Sequence, residues 1–151
     1  MIDAIKQKFP NIVLDAREQT LTIKKEGIRA LASALKDDGF NLLIDLFAVD
    51  YLHWEEKAVR FEMVYNLYSL SKNQRLFIKA QVSDPGPEID SVTSIWPAAN
   101  WYEREVWDMM GIVFKGHPNL KRLLMYEEFK GHPLRKDYVY NHRQPLIGPM
   151  R

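Results

Sequence analysis

RFEMVYNLYSLSKNQRLFIKAQV, residues 60–82, holds two alternating runs around a polar break. In the first, Phe61, Met63, Tyr65 and Leu67 face one way, while Glu62 and Asn66 share the other face with Val64 and Tyr68. In the second, Leu76, Ile78, Ala80 and Val82 fall on one side. Successive side chains of a strand point to opposite faces, so each run reads as a strand with an apolar face, the first of them half-buried. SKNQ supplies a turn, and two long strands so joined predict an antiparallel hairpin.

Working back from the hairpin, FNLLIDLFAV (40–49) is too short and too apolar for a surface helix and reads as a buried strand. EGIRALASALKDDG (26–39) places Ile28, Leu31, Ala32 and Leu35 on one helical face, with Gly39 as its stop. NIVLD and TLTIKK are two short strands around the turn AREQ, and Ile2 to Phe9 is a short helix halted by Pro10. Forward from the hairpin, DPGPE breaks the chain. Pro97 then suits a first helical position before a helix over Ala98 to Met110, which Gly111 ends.

Beyond Gly111 no apolar period is sustained, and four of the eight prolines fall in the last 34 residues. Residues 115–151 carry eight Lys and Arg against three Asp and Glu, although the whole chain is only +1. Such a segment cannot order itself by burying its own surface. Its Leu120, Tyr126, Phe129, Tyr138 and Tyr140 make sense only if it lies extended against another surface, of this domain, a partner or both. The expected architecture is α+β: a mixed or antiparallel sheet with helices packed on it over residues 1–114, then an extended basic, proline-rich C-terminal tail over residues 115–151.

The composition excludes several classes. The 151 residues contain no cysteine, so disulfides, zinc–thiolate sites and cysteine-ligated iron–sulfur clusters are absent from this chain. No apolar run approaches the ~20 residues of a membrane span, and the start lacks the apolar core of a signal peptide. The small net charge provides no general pull toward nucleic acid.

Chemistry-bearing residues gather in EREVWDMMGIVFKGHPNLKR (103–122). On a helix, Trp101, Arg104, Glu105 and Asp108 form one stripe in which Arg104 can reach Asp108 at i+4, and Glu103 points elsewhere, beside Trp107. One reading is a carboxylate pair with His117 as a third metal ligand or a partner in acid–base work. The other is an ion-paired stripe, since an arginine among the acids neutralises them and competes with a metal. The steps GHPNLKR (116–122) and GHPLRKD (131–137) echo each other fifteen residues apart. In each, proline holds the histidine extended and glycine permits a turn, which makes a rigid corner followed by basic residues. A zinc site on His117 and His132 lacks cysteine or a short histidine spacing to support it, and no phosphate-binding glycine pattern is present.

SIWPAANWYEREVWDMMGIVFKGHPNLKRLLM resembles the signature of the C-subunit family of NADH–quinone oxidoreductase, respiratory complex I, and the likeness runs in order from about Leu46 to Gln144. Onto this chain it carries Glu103, Arg104, Glu105, Asp108, Gly111, Phe114, Gly116, His117, Pro118, Leu120 and Arg122. A second set is Gly131, His132, Pro133, Leu134, Arg135, Lys136, Asp137 and Tyr138. Asn119, Lys121 and Val139 depart from residues common in the family. The resemblance implies an accessory subunit of the hydrophilic arm, not catalytic alone, on the cytoplasmic side of a bacterial inner membrane or the matrix or stroma side in an organelle. Its expected partners are the quinone-site D-subunit and nearby iron–sulfur subunits, with Arg135 and Lys136 reaching acidic groups on them. NADH, flavin, iron–sulfur clusters and quinone would be held by those partners, which couple electron transfer to proton translocation. Related plastoquinone- and hydrogenase-type complexes carry similar subunits. Two other classes remain as rivals: a metal protein built on Glu105, Asp108 and His117, and an RNA-binding module using Tyr126, Phe129, Tyr138 and Tyr140.

Overall fold

The structure, a computed structural model, describes residues 2–145; the end of the tail, with Pro149 and Arg151, lies outside the described residues. In chain order the elements are α1 (Ile2–Lys8), β1 (Val13–Arg17), β2 (Thr20–Lys24), α2 (Ile28–Asp37), β3 (Leu42–Asp50), β4 (Phe61–Ser69), β5 (Gln74–Val82), β6 (Glu88–Asp90), α3 (Ala99–Met110) and β7 (Val113–Lys115). The expected hairpin is β4–β5, paired antiparallel from Phe61 opposite Val82 to Ser69 opposite Gln74. It forms the middle of a five-stranded sheet ordered β1-β2-β5-β4-β3. Because β2 runs parallel to β5 and the other pairs are antiparallel, the sheet is mixed and the fold is α+β.

The apolar face of the hairpin is the core. Phe61, Met63, Tyr65, Leu67, Leu76, Ile78, Ala80 and Val82 are fully buried, as are Leu21 and Ile23 of β2. On this face lie Ile28, Leu31, Ala32 and Leu35 of α2, the predicted stripe, together with Trp96 and the inner side of α3. The Trp96 indole N–H donates to the Phe40 carbonyl (3.0 Å), which ties the entry of α3 to the start of β3.

Two expectations about burial are corrected. β3 is one of the sheet's two outer strands, and Leu42, Ile44 and Phe47 remain exposed where a buried strand was expected. β4 lies inside the sheet, between β5 and β3, and is covered on both faces along most of its length, with even Glu62 and Val64 buried, where a half-buried strand was expected. The pattern after Gly111 also hides a short element, because β7 pairs in parallel with β6 to make a second, two-stranded sheet. Among the described residues no helix is long and apolar enough to cross a membrane.

Candidate functional site: a helix that holds the tail

α3 ends as the sequence predicts, at Gly111 with φ +75°. The helix begins at Ala99, and Ala98 is exposed. The core stripe includes Ala99, Glu103 and Val106; Glu103 points away from the Arg104–Asp108 stripe, and its carboxyl is fully buried in the core.

The adjoining stripe faces the tail. Arg104 does not pair with Asp108. It lies over the Trp101 ring (5.0 Å) and donates to the carbonyls of Lys121 (3.1 Å) and Arg122 (2.9 Å). Asp108, fully buried, takes the opposite kind of group. Its Oδ2 accepts the successive backbone amides of Leu123, Leu124 and Met125 at 2.8–3.0 Å, and its Oδ1 accepts from Arg122 at 2.6 Å. One helical turn thus offers a cation to tail carbonyls and an anion to tail amides. Burial pushes the Asp108 carboxyl up, but the three amides and the Arg122 guanidinium outweigh it, so its pKa falls below the ordinary value. Glu105 is exposed and makes no ion pair among the described residues.

Arg122 passes the connection on. Its guanidinium lies against the Trp107 and Phe129 rings (5.8 and 5.5 Å) and donates to the carbonyls of Phe129 (2.6 Å) and Gly131 (3.1 Å). Tyr126 and Tyr138 flank Phe129 at 5.5 and 6.2 Å, so three of the four aromatics considered for stacking bases pack on each other. Gln144 closes this small cluster, its amide accepting from the Lys130 N–H and donating to the Lys130 carbonyl and the Tyr138 hydroxyl.

The second Gly-His-Pro step returns the tail to α3. A helix leaves its last carbonyls without partners of their own. Here Gly111 N–H donates to Trp107, His132 Nδ1–H to Asp108 (3.0 Å) and Leu134 N–H to Met109 (3.0 Å). Pro133, between the two donors, keeps His132 extended. The first step does a related job: His117 Nε2–H donates to the Asn100 carbonyl, and its Nδ1 accepts the Asn119 N–H across Pro118. Both rings are thus engaged by backbone. No three His, Asp or Glu among the described residues come together as a ligand set.

The last attachment lies at the end of the sheet where β3 leaves, β4 enters and β5 leaves. Arg60 grips Asp50 with two bonds (3.1 and 3.0 Å) and also reaches Asp84 (2.8 Å) and Asp137 (2.9 Å). Arg135 pairs with the same Asp84 and Asp137 (3.3 and 3.2 Å), and the Lys136 amide donates to Asp50 (2.9 Å). The Arg135 guanidinium, expected to reach a neighbour, is therefore engaged inside this chain, while the Lys136 side chain is exposed. Bonds to Arg60 lower the Asp137 carboxyl to about 2 against the opposing effect of burial, with Arg135 adding to the fall. Sequence reasoning missed Asp50, Arg60, Asp84 and Gln144. The first three do stand beside predicted strand ends, which is the signal that could have found them.

Fold and site together define a class, a small α+β protein whose third helix and sheet end hold a long irregular tail through buried charges. The model of the family "Respiratory-chain NADH dehydrogenase, 30 Kd subunit" matches residues 21–144, and the chain belongs to that family. It is 47% identical over 152 residues to the NADH-quinone oxidoreductase C-subunit of Geobacter metallireducens, covering 97% of this chain and 89% of that one. The Rhodobacter capsulatus protein of the same name is 47% identical over 141 residues, covering 89% and 69%. Among solved structures, a trypsin-resistant fragment of Nqo5 matches with a TM-score of 0.68 at 33% identity, covering 78% of this chain and 95% of that one. A chain of an archaeal membrane-bound sulfane sulfur reductase matches with a TM-score of 0.76 at 25% identity, covering 93% and 84%.

Proposed function

We propose that the chain is a non-catalytic assembly subunit of the hydrophilic arm of an NADH–quinone oxidoreductase. In this reading it sits on the cytoplasmic side of the membrane, or on the matrix or stroma side in an organelle, against the quinone-site subunit and near the iron–sulfur subunits. NADH, flavin, clusters and quinone belong to those neighbours, and the chain supplies architecture to electron transfer and its coupled proton translocation.

The observation that carries the reading is the division of labour in the tail. The tail spends Arg122, Arg135 and Asp137, with backbone groups of residues 121–125, Leu134 and Lys136, inward on α3 and the Arg60 cluster. Its apolar side chains at Leu124, Leu134, Val139 and Tyr140 stay outward, with Tyr140 89% exposed. Apolar groups gathered in water along one segment mark a surface that a partner covers. The naming of relatives as NADH-quinone oxidoreductase C-subunits supports a complex of that kind as the source of the partner. The likeness to the sulfane sulfur reductase chain supports a second reading, the same role in a related membrane complex.

The test is a Leu134→Asp/Tyr140→Asp variant in the host. The purified variant is expected to melt like the parent, yet to be missing from the arm on native gels and to lose its neighbours in pull-downs from native membranes. Full assembly with reduced turnover alone would refute the structural role.

A further inference from the structure

Glu103 stands apart from the tail-holding machinery although it neighbours Arg104 in sequence. It is fully buried, one turn of α3 before Trp107, on the side packed into the core. Oε1 accepts the Val92 backbone N–H at 2.8 Å, and Oε2 has no partner. The groups facing it from other elements are few. β4 contributes Tyr65, whose buried hydroxyl also lacks a partner and has Asp90 of β6 near it as well, and the segment after β6 contributes the Ser91 hydroxyl. Lys115 of β7 is exposed and turned to Glu88 and Asp90. No lysine, arginine or histidine among the described residues makes an ion pair with Glu103. A carboxylate in such a place would be a buried charge with no cation, a far costlier state than a neutral acid that hydrogen-bonds through one oxygen.

We propose that Glu103 is a proton-binding site inside the fold, a neutral carboxylic acid whose ionisation loosens α3 and with it the seat of the tail. The coupling is geometric. Glu103 points inward while Arg104 and Asp108, on the same helix, grip residues 121–125. An ionised Glu103 must find water, and it reaches water only by parting α3 from the Ser91–Val92 turn. That movement carries Arg104 and Asp108 away from the amides and carbonyls they hold. Burial pushes the carboxyl from 4.5 up to about 7, with the Ser91 hydroxyl and the Val92 amide opposing in part. The folded state therefore keeps a proton that the unfolded chain releases. Glu103's contribution to stability is full below the ordinary glutamate range and is lost as pH rises through about 7. Tyr65, whose phenol burial raises well above its ordinary value, stays protonated throughout.

The test uses the full chain labelled with carbon-13 at glutamate Cδ, titrated by NMR, with Glu103→Gln to assign the signal. Glu103 is expected to titrate near pH 7, apart from the other glutamates. In parallel, trypsin cleavage in the tail (Lys121, Arg122, Lys130, Arg135, Lys136) is followed from pH 6 to 8.5, normalised to an unstructured peptide carrying the same sites. Cleavage of the parent is expected to rise several-fold across that range and to stay flat in Glu103→Gln. A Glu103 signal titrating in the ordinary range near roughly 4 overturns the proposal. So does a tail whose cleavage follows the same pH profile in both proteins. If the variant folds poorly, the parent still decides: tail cleavage that does not rise across that pH range overturns the proposal.

Discussion

Asp108 receives three amides and a guanidinium from a segment that begins fourteen residues further along the chain. Removing it leaves Arg122 and those amides without their anion in a largely buried setting. Asp108→Ala is therefore expected to destabilise the chain by about 3–5 kcal/mol, read from urea unfolding, the range for breaking a buried charge pair. Arg104→Ala should cost less, because the carbonyls it leaves lie nearer the surface. The acid side follows from the lowered carboxyls. Asp108, Asp50 and Asp137 all have folded pKa values below their unfolded 3.8, with Asp137 at about 2. Their stabilisation is present above that unfolded value and is lost as pH falls through the folded ones, so the urea midpoint should drop between about pH 4 and pH 2. The residue types at this site were legible in the sequence, and their partners were not. Helical spacing offers Arg104 to Asp108, but a buried carboxylate is satisfied by whatever the chain brings to it, and here that came from the tail.

At the scale of the element, α3 shows how an irregular segment substitutes for regular structure. The tail caps the helix, its His132 ring and Leu134 amide closing two carbonyls that Gly111 cannot. Gly111 is confined twice over, by its φ of +75° and by the His132 ring, which an added Cβ would meet at 2.5 Å. Gly111→Ala should lower stability by more than the ~1 kcal/mol of a left-handed alanine, and a thermal melt would measure it. The hairpin, α2 and α3 were legible because long elements repeat their period several times. β6 and β7, three residues each, are too short to show one. The exposure of β3 was hidden for another reason: whether an apolar strand is central or outermost depends on the strand order, which no single stretch records.

For the whole molecule, the tail is a strap with three anchorages: the Arg104–Asp108 turn, the end of α3, and the Arg60 cluster. Cutting the chain after Asn119 is expected to do more than trim it. It would strand Asp108, Arg104 and the Asp50–Arg60 pair, so the remaining body should melt well below the full chain, by calorimetry. A tail that were merely a flexible appendage would leave the melting temperature unchanged. The basic, proline-rich character of residues 115–151 announced an extended segment in need of a surface. Much of that surface is the chain's own body, recognised by backbone groups that a sequence does not distinguish from one residue to the next.

Because the strap follows α3 in the polypeptide, a ribosome releases the helix before its anchors exist. The newborn α3 carries an uncovered acid and bare carbonyls until residues 121–134 emerge to close them. An unfinished copy keeps those groups unsatisfied, and the outer surface is complete only once Val139, Tyr140 and Gln144 have followed.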